Sequence, residues 1–183
     1  IQTSLVGSEM CIRDSNMTFT TELTKADFVL IMGLPEGDDA PLTTDLDRLR
    51  DDIISQRIPI YCSNPDRKSP RAGGALAVSP GALAHAIADA GATVHFYGKP
   101  HAPVFRAIEK SMNVSPDRCL MVGDSLEHDI AGAANAGWQT LFIRGGIDIV
   151  AFGGNDIAFA LEALALKKGV ALPDFSLQTL RLS

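Results

Sequence analysis

The chain has 183 residues, of which 46% are hydrophobic and 21% are charged, and 22 acidic against 16 basic side chains give a net charge of −6 at pH 7. This length suits one domain, or one domain with part of another, and the composition excludes a wholly disordered, collagen-like or coiled-coil chain. The acidic balance, without a basic cluster, argues against nucleic acid as a partner. No apolar run approaches the roughly 20 residues that span a bilayer, so we expect no membrane partner and predict a cytoplasmic location.

The first stretch of the chain, residues 1–15, shows neither helical nor strand periodicity. Its string SLVGSEMCIRDS, from Ser4 to Ser15, resembles the translated adapter sequence found at the ends of reading frames assembled from short reads. We therefore expect residues 1–15 to be a non-native or disordered tail. Genuine upstream coding sequence is then expected to be missing, which would make the chain a fragment.

From Asp27 onward, short apolar runs rich in β-branched residues alternate with helical patterns, which is typical of βα units that form a parallel sheet. Capping residues mark the start of some of these helices, and Gly or Pro marks the end of others. The predicted strands are, in chain order, Phe28–Met32, Ile58–Cys62, Val94–Tyr97, Cys119–Val122 and Thr140–Ile143. The predicted helices between and after them run from Thr44 to Gln56, from Ser79 and Pro80 to a stop at Gly91, along Val104–Met112, along Leu126–Ala136 and along Ile157–Lys168.

The segment Lys68–Gly74, with the string KSPRAGG, is the best candidate for a domain junction because Pro and Gly cluster there between two periodic regions. Upstream lies a βαβ piece that is too small to bury a good core alone. Downstream lies most of a doubly wound sheet. We therefore place the boundary between residues 16–70 and residues 71–183.

One group of candidate functional residues follows the strand Cys119–Val122, and ligands of open α/β sheets bind outside the carboxyl ends of strands. Asp124 comes directly after Gly123, and Asp129 follows at the opening of the next helix, so both carboxylates can face one crevice. Such a pair suits a hard cation, and Mg²⁺ is the usual choice where phosphate is handled. The alternative is that Asp124 or Ser125 only caps the helix and that Asp129 favours its dipole.

Two further groups follow two other strands. Lys99 lies on the rigid turn Gly98-Lys99-Pro100 and could hold a phosphate as a point charge, although most lysines are only solvated surface. Asn64 and Asp66 lie in an Asn-Pro-Asp turn, which by itself is ordinary turn chemistry.

The order of these motifs, N-P-D, then G-K-P, then G-D-S-x-x-x-D, resembles the second half of the haloacid dehalogenase-like (HAD) hydrolases of class IIA, the subfamily with a large α/β cap inserted in the core. The strings GKPHAPVF (Gly98–Phe105), MVGDSLEHDIAGA (Met121–Ala133) and TLFIRGGI (Thr140–Ile147) carry the resemblance, which runs from about Asp27 to the C-terminus. It implies an α/β fold: a doubly wound parallel Rossmann-like (HAD-like) core, incomplete, preceded by the C-terminal piece of the cap. Residues 16–70 would then be cap and residues 71–183 core.

The resemblance also implies a Mg²⁺-dependent phosphatase that passes through an aspartyl-phosphate and acts on a small phosphorylated metabolite. Lys99 would bind the substrate and neutralise the phosphoryl group and the nucleophile. Asp124 would ligate Mg²⁺, Asp129 would support the metal shell as a catalytic and metal residue, and Ser125 would add a polar contact at the metal loop. Asn64 and Asp66 would belong to the cap and face the substrate.

The nucleophile that the resemblance implies is the first Asp of a D-x-D-G motif at the end of the first core strand. The chain contains D-x-D as Asp45-Leu46-Asp47, but no apolar strand precedes it and Arg48 stands where Gly is expected, so we interpret it as the first turn of a helix. The family's Ser/Thr phosphate-binding motif has no match either. Both motifs would lie upstream of residue 1 in a complete protein, and we expect the chain alone to be inactive.

A second hypothesis stays open: a non-catalytic α/β domain that uses Lys99 and Asp124 to hold Mg²⁺ and a phosphate or nucleotide. A dinucleotide-binding unit is disfavoured, since no G-x-G-x-x-G follows any strand. His128 lies between the two acids and is interpreted as a solvated side chain. Strand edges left exposed by missing strands predict self-association, so a homo-oligomer is also an expectation.

Overall fold

The computed structural model describes residues 18, 20, 22–34, 43–70, 76–154 and 156–180. The predicted tail, residues 1–15, lies outside these residues. The chain divides into two compact units, and the division falls between Gly98 and Lys99. Of the helices in the described ranges, none has the length and apolar character that crossing a bilayer requires.

The first unit contains a parallel sheet, a hairpin and two helices. In chain order its elements are a short 3₁₀ turn (Leu23–Lys25), β1 (Val29–Ile31), α1 (Thr43–Gln56), β2 (Ile60–Cys62), β3 (Lys68–Pro70), β4 (Leu76–Val78), α2 (Pro80–Asp89) and β5 (Val94–Phe96). Strands β1, β2 and β5 pair in parallel in that order, and β3 pairs antiparallel with β4. The two parallel pairings are those expected of successive βα units.

Alternation along the strands and helical periodicity build the core of this unit. Side chains on one face of the sheet pack against α1 and α2, because residues two apart on a strand and four apart on a helix share a face. The buried members are Ile31, Ile53, Ile60, Cys62, Leu83, Ala84 and Ile87.

The second unit contains another three-stranded parallel sheet. In chain order its elements are α3 (Ala102–Met112), a 3₁₀ turn (Pro116–Arg118), β6 (Leu120–Gly123), a π-helical turn (Leu126–Ile130) that continues into α4 (Ala131–Asn135), β7 (Gln139–Ile143), a 3₁₀ turn (Ile149–Phe152), α5 (Ile157–Lys168) and β8 (Phe175–Leu177). The strands pair in the order β6-β7-β8. Two apolar clusters form its core, one around Phe142 and Leu126 and one around Phe105 and Trp138.

The predicted mixed α/β class with parallel sheets is confirmed, and each predicted strand and helix is present close to its predicted limits. The parallel strands form two three-stranded sheets, β1-β2-β5 and β6-β7-β8. The helix predicted from Leu126 begins with a π-turn.

The predicted junction at Lys68–Gly74 begins in β3, where Lys68 lies opposite Val78 of β4, and its residues 71–74 lie outside the described residues. Moreover, β5 pairs with β2, which holds residues on both sides of position 70 within one unit. The predicted boundary therefore does not coincide with the division between the compact units.

Strand β8 was not among the predicted elements, and a side-chain clamp joins its start to β7. The backbone N–H and the hydroxyl of Thr140 each donate to Oδ2 of Asp174 at 2.8 Å. In return, the N–H of Asp174 donates to Oγ1 of Thr140 at 2.9 Å. Because these bonds join residues 34 positions apart, no local sequence pattern predicts them.

Candidate functional site

Lys99 and Asp129, which the sequence places in separate motifs, are in direct contact in the second unit. Nζ of Lys99 lies 2.5 Å from Oδ1 of Asp129. The carboxyl side chain of Asp129 is 6% exposed, whereas the Lys99 side chain is 48% exposed. The buried carboxylate thus anchors a lysine whose charge still reaches solvent, where it can meet an anionic ligand.

The π-turn Leu126–Ile130 turns Asp129 inward. The N–H of Ile130 donates to the carbonyl of Ser125 at 3.1 Å, which closes a wider ring than the α-helical turn predicted here. As a result the neighbouring residues Asp129 and Ile130 are both buried, at 4% and 1% exposure. Single π-turns are frequent at functional sites, and nothing in the local sequence distinguished this one from an α-helical start.

Ser125 caps this turn. Its Oγ accepts a hydrogen bond from the backbone N–H of His128 at 3.2 Å and lies 3.2 Å from the His128 ring Nδ1. Its own N–H donates to Oδ2 of Asp129 at 3.2 Å. This is the capping alternative, and the metal contact of Ser125 stays a prediction. His128, expected to be solvated, is half-buried beside it.

Asp124 is held by the loop that follows β7. Its Oδ2 accepts a hydrogen bond from the N–H of Ile147 at 3.2 Å. The backbone of Gly146 lies so close that a Cβ there would overlap the Asp124 carboxyl group. Within the described residues Oδ1 of Asp124 accepts no hydrogen bond. One carboxylate oxygen is therefore anchored and the other is available to a ligand.

Gly123 lies against the carboxyl group of Asp129, as Gly146 lies against that of Asp124. A Cβ on this last residue of β6 would overlap the Asp129 carboxyl group. Glycine thus allows the carboxylate to lie against the strand end, a close approach that any larger residue prevents. Sequence reasoning used Gly123 only as the end of a strand.

A cavity of about 310 Å³ opens beside Asp124. Its other walls are Ile143, the Gly145-Gly146 pair, Thr179 and Leu180. Both glycines belong to the string TLFIRGGI (Thr140–Ile147), which the sequence analysis identified only as a whole. Thr179 and Leu180 carried no signal, because only the pairing of β8 with β7 brings the end of the chain to this wall.

The site residues have oxygen donors of the kind that Mg²⁺ prefers. Asp124 offers one free carboxylate oxygen, while both oxygens of Asp129 are engaged, by Lys99 and by the Ser125 N–H. In the part of the chain that the structure describes, no three His, Cys, Asp or Glu side chains come together as a metal site. The residues therefore offer part of a magnesium ligand set, namely the free carboxylate oxygen of Asp124.

Asn64 and Asp66 lie in the turn after β2, in the first unit. Oδ1 of Asn64 accepts a hydrogen bond from the N–H of Asp66 at 3.3 Å, which is an Asx-type turn. The carbonyl of Asn64 accepts a hydrogen bond from the thiol of Cys62 at 3.3 Å. These contacts are the ordinary turn chemistry given as the alternative, and the substrate-facing role of both residues stays a prediction.

The family model described as HAD-hydrolase-like matches residues 96–151, the segment that contains Lys99, Asp124 and Asp129. The chain is 25% identical over 145 residues to dihydroxyacetone phosphatase from Corynebacterium glutamicum, covering 77% of this chain and 52% of that protein. It is 27% identical over 114 residues to glycerol-3-phosphate phosphatase from Homo sapiens, covering 62% of this chain and 34% of that protein.

Among solved structures, a haloacid dehalogenase-like hydrolase from Brucella suis 1330 is similar, with a TM-score of 0.62 and 33% identity over 77% of this chain and 56% of that one. The chain thus spans about half the length of the C. glutamicum and B. suis relatives. Residues 96–151 therefore carry the pattern of the haloacid dehalogenase-like hydrolases, and the chain is similar to a solved structure of that family over 77% of its length.

Proposed function

We propose that this chain is part of a Mg²⁺-dependent phosphatase of the class IIA type that hydrolyses phosphomonoesters of small metabolites. The observation that carries the proposal is the 2.5 Å contact between Lys99 and Asp129 in the family-matched segment that also holds Asp124. A cation beside paired carboxylates is what phosphoryl transfer needs from its binding site. The activities named for the C. glutamicum and human relatives support a three-carbon phosphate as the substrate.

Each site residue has a role in this proposal. Lys99 would contact the phosphoryl oxygens and offset their negative charge. Asp124 would hold Mg²⁺ through its free oxygen, with Asp129 orienting Lys99 and Ser125 closing the metal loop. A bound Mg²⁺ would supply charge neutralisation at the phosphoryl group.

The aspartate nucleophile would come from a D-x-D-G motif, which the 183 residues do not contain. Asp45 and Asp47 lie at the start of α1, as expected of helix first-turn acids. We therefore expect negligible turnover from the chain alone, since it lacks the motif that would supply the nucleophile. Mg²⁺-dependent phosphatase activity that survives purification and disappears in Asp124→Ala would contradict this expectation.

We also propose that the first unit is part of the cap and the second unit part of the core. The division between Gly98 and Lys99 supports a boundary later than residue 70. Asn64 and Asp66 would then face the substrate from the cap. A cytoplasmic location and a small phosphorylated metabolite as the partner complete the proposal.

The test has a binding arm and an activity arm. Calorimetric titration with Mg²⁺ is expected to show binding that Asp124→Asn weakens at least tenfold, while Asp117→Asn, an exposed acid in the same unit, leaves it unchanged. We expect the intact gene to encode an upstream D-x-D-G motif. Its product is expected to release phosphate from glycerol 3-phosphate in a Mg²⁺-dependent reaction, and the Lys99→Met variant is expected to lose this activity. Mg²⁺ binding by an intact gene product without D-x-D-G and without turnover would instead support the non-catalytic binding domain.

A further inference from the structure

Lys168, at the end of α5, reaches two separate loops of the second unit. Its Nζ donates to Oε2 of Glu127 at 2.7 Å and lies 3.4 Å from Oδ2 of Asp148. The side chains of Lys168 and Asp148 are each only 18% exposed, and that of Glu127 is 50% exposed. One ammonium group, mostly withdrawn from solvent, therefore links two acids from different loops.

Each of these loops supports one of the two site carboxylates. Glu127 lies within the π-turn Leu126–Ile130, which carries Asp129. Asp148 directly follows Ile147, whose N–H donates to Asp124. Lys168 itself lies 41 positions from Glu127 in the sequence and touches neither Asp124 nor Asp129 within the described contacts.

The environment of Lys168 keeps it charged. Burial acts to lower the pKa of the ammonium group, but the hydrogen bond to Glu127 and the charges of Asp148 and Glu127 outweigh that effect and raise the pKa above its usual value. The neighbouring Lys167, on the same last turn of α5, is exposed. The two lysines thus share a charge and a helix turn but differ in their partners.

From this arrangement we propose that Lys168 is a positioning residue that holds the π-turn and the loop after β7 together and so keeps Asp129 and Asp124 in place. The inference rests on the proposed function only in treating these carboxylates as a magnesium site. Groups that orient metal ligands typically change metal affinity 10- to 100-fold when removed. Lys168 is accordingly expected to matter to the site more than to the fold.

The first test needs neither metal nor activity. Amide hydrogen exchange is followed by NMR on the full chain at Ser125 and Ile147, whose N–H groups bind Asp129 and Asp124. Lys168→Met is expected to accelerate exchange at both amides about tenfold while the amides of β7 keep their protection. Lys167→Met, the matched control, is expected to change neither.

Single-arm variants, which remove the charge of either Glu127 or Asp148, test the two ion pairs of Lys168 separately. Glu127→Gln is expected to accelerate exchange at Ser125 alone, and Asp148→Asn at Ile147 alone, while Lys168→Arg keeps both protected. The proposal is overturned if Lys168→Met behaves like Lys167→Met, or if it exposes the β7 amides as strongly as the two loop amides. Should Lys168→Met fail to fold, failure of both single-arm variants to release their amides overturns it.

The second test uses Mg²⁺ itself. Calorimetric titration is expected to give a Kd about tenfold higher for Lys168→Met than for the unaltered chain, with Lys167→Met within twofold of the unaltered chain. Equal affinity of all three proteins counts against the positioning role. If the unaltered chain does not bind Mg²⁺, the proposed magnesium site fails, while the exchange result still decides whether Lys168 positions the loops.

Discussion

At the scale of single residues, the site is shaped as much by glycines as by charged groups. Gly123 and Gly146 lie against the carboxyl groups of Asp129 and Asp124, at distances that leave no room for a Cβ. The carboxylates can therefore be anchored by backbone N–H groups at the sheet end. The sequence singles out both acids, but the glycine that faces each one is visible only in three dimensions.

Gly146→Ala is expected to weaken Mg²⁺ binding about tenfold, because the new Cβ must displace the Asp124 carboxyl group from its position. Overpacking of this kind also costs about 1–3 kcal/mol of stability. Calorimetry and thermal unfolding measure the two effects. Gly154→Ala is the control, since a Cβ there meets no atom within 4 Å. Equal Mg²⁺ affinity of the two variants would show that the close approach does not govern the metal site.

Ser125→Ala distinguishes the capping role from the predicted metal contact. Loss of the bond from the His128 N–H to Oγ is expected to cost about 1 kcal/mol of stability, as for other N-cap residues. Mg²⁺ affinity is expected to stay within twofold, since the Ser125 N–H that binds Asp129 remains. Denaturant unfolding and calorimetry are the measurements. A tenfold or larger loss of Mg²⁺ affinity would instead establish the hydroxyl as a metal contact.

At the scale of elements, periodicity and caps located the helices and strands well because these signals are local. The elements that were not predicted are those stabilised by contacts with distant parts of the chain. The three-residue strand β8 depends on pairing with β7 and on the clamp between Thr140 and Asp174. The strands β3 and β4 likewise depend on their antiparallel pairing with each other.

The clamp predicts a pH dependence. Hydrogen bonds from the hydroxyl and N–H of Thr140 lower the pKa of Asp174 below its usual value. Since the folded-state pKa lies below the unfolded one, the stabilisation is complete above about pH 4 and is lost as the pH falls through the lower folded-state pKa. Thermal unfolding from pH 7 to pH 3 is therefore expected to show a loss of Tm that is smaller in Asp174→Asn.

Asp174→Asn is also expected to have a lower Tm than the unaltered chain at pH 7, because a charge-assisted acceptor becomes a neutral one. Asp117→Asn, which removes an exposed acid of the same unit, serves as the control for net charge. Parallel pH profiles for all three proteins would refute the role of the Asp174 charge.

At the scale of the whole molecule, one face of the second parallel sheet is apolar and open to solvent. By register, Val122 of β6, Leu141 of β7 and Phe175 of β8 form one row across this face. Leu120, Val122, Phe175 and Leu177 are 47%, 40%, 53% and 44% exposed. Parallel sheets are ordinarily covered on both faces, and contiguous apolar patches favour association.

The chain is therefore expected to self-associate in solution, and light scattering across a concentration series is the measurement. Val122→Glu with Leu177→Glu, both on the open face, is expected to shift the distribution toward monomer. The control is Ile108→Glu with Met112→Glu, which adds the same charge at exposed apolar positions of α3. A stable monomer of the unaltered chain at all concentrations would contradict the prediction.

The sequence by itself determined the succession of βα units, the identity of the three polar motifs and their order. These are properties of neighbouring residues, so they can be read without knowledge of the fold. The resemblance carried by these motifs and the strings around them predicted a haloacid dehalogenase-like hydrolase, and the comparisons support that prediction.

Only the tertiary structure decided how the motifs act together. The contact of Lys99 with Asp129 spans 30 positions, the bond from Ile147 to Asp124 spans 23 and the bond from Lys168 to Glu127 spans 41. The bond from Ile147 to Asp124 lies where the parallel strands β6 and β7 bring their carboxyl ends to one edge. The other two contacts depend on how helices and turns pack across the unit. The division of the chain between Gly98 and Lys99 has the same origin, since it follows from which strands pair and not from where Pro and Gly cluster.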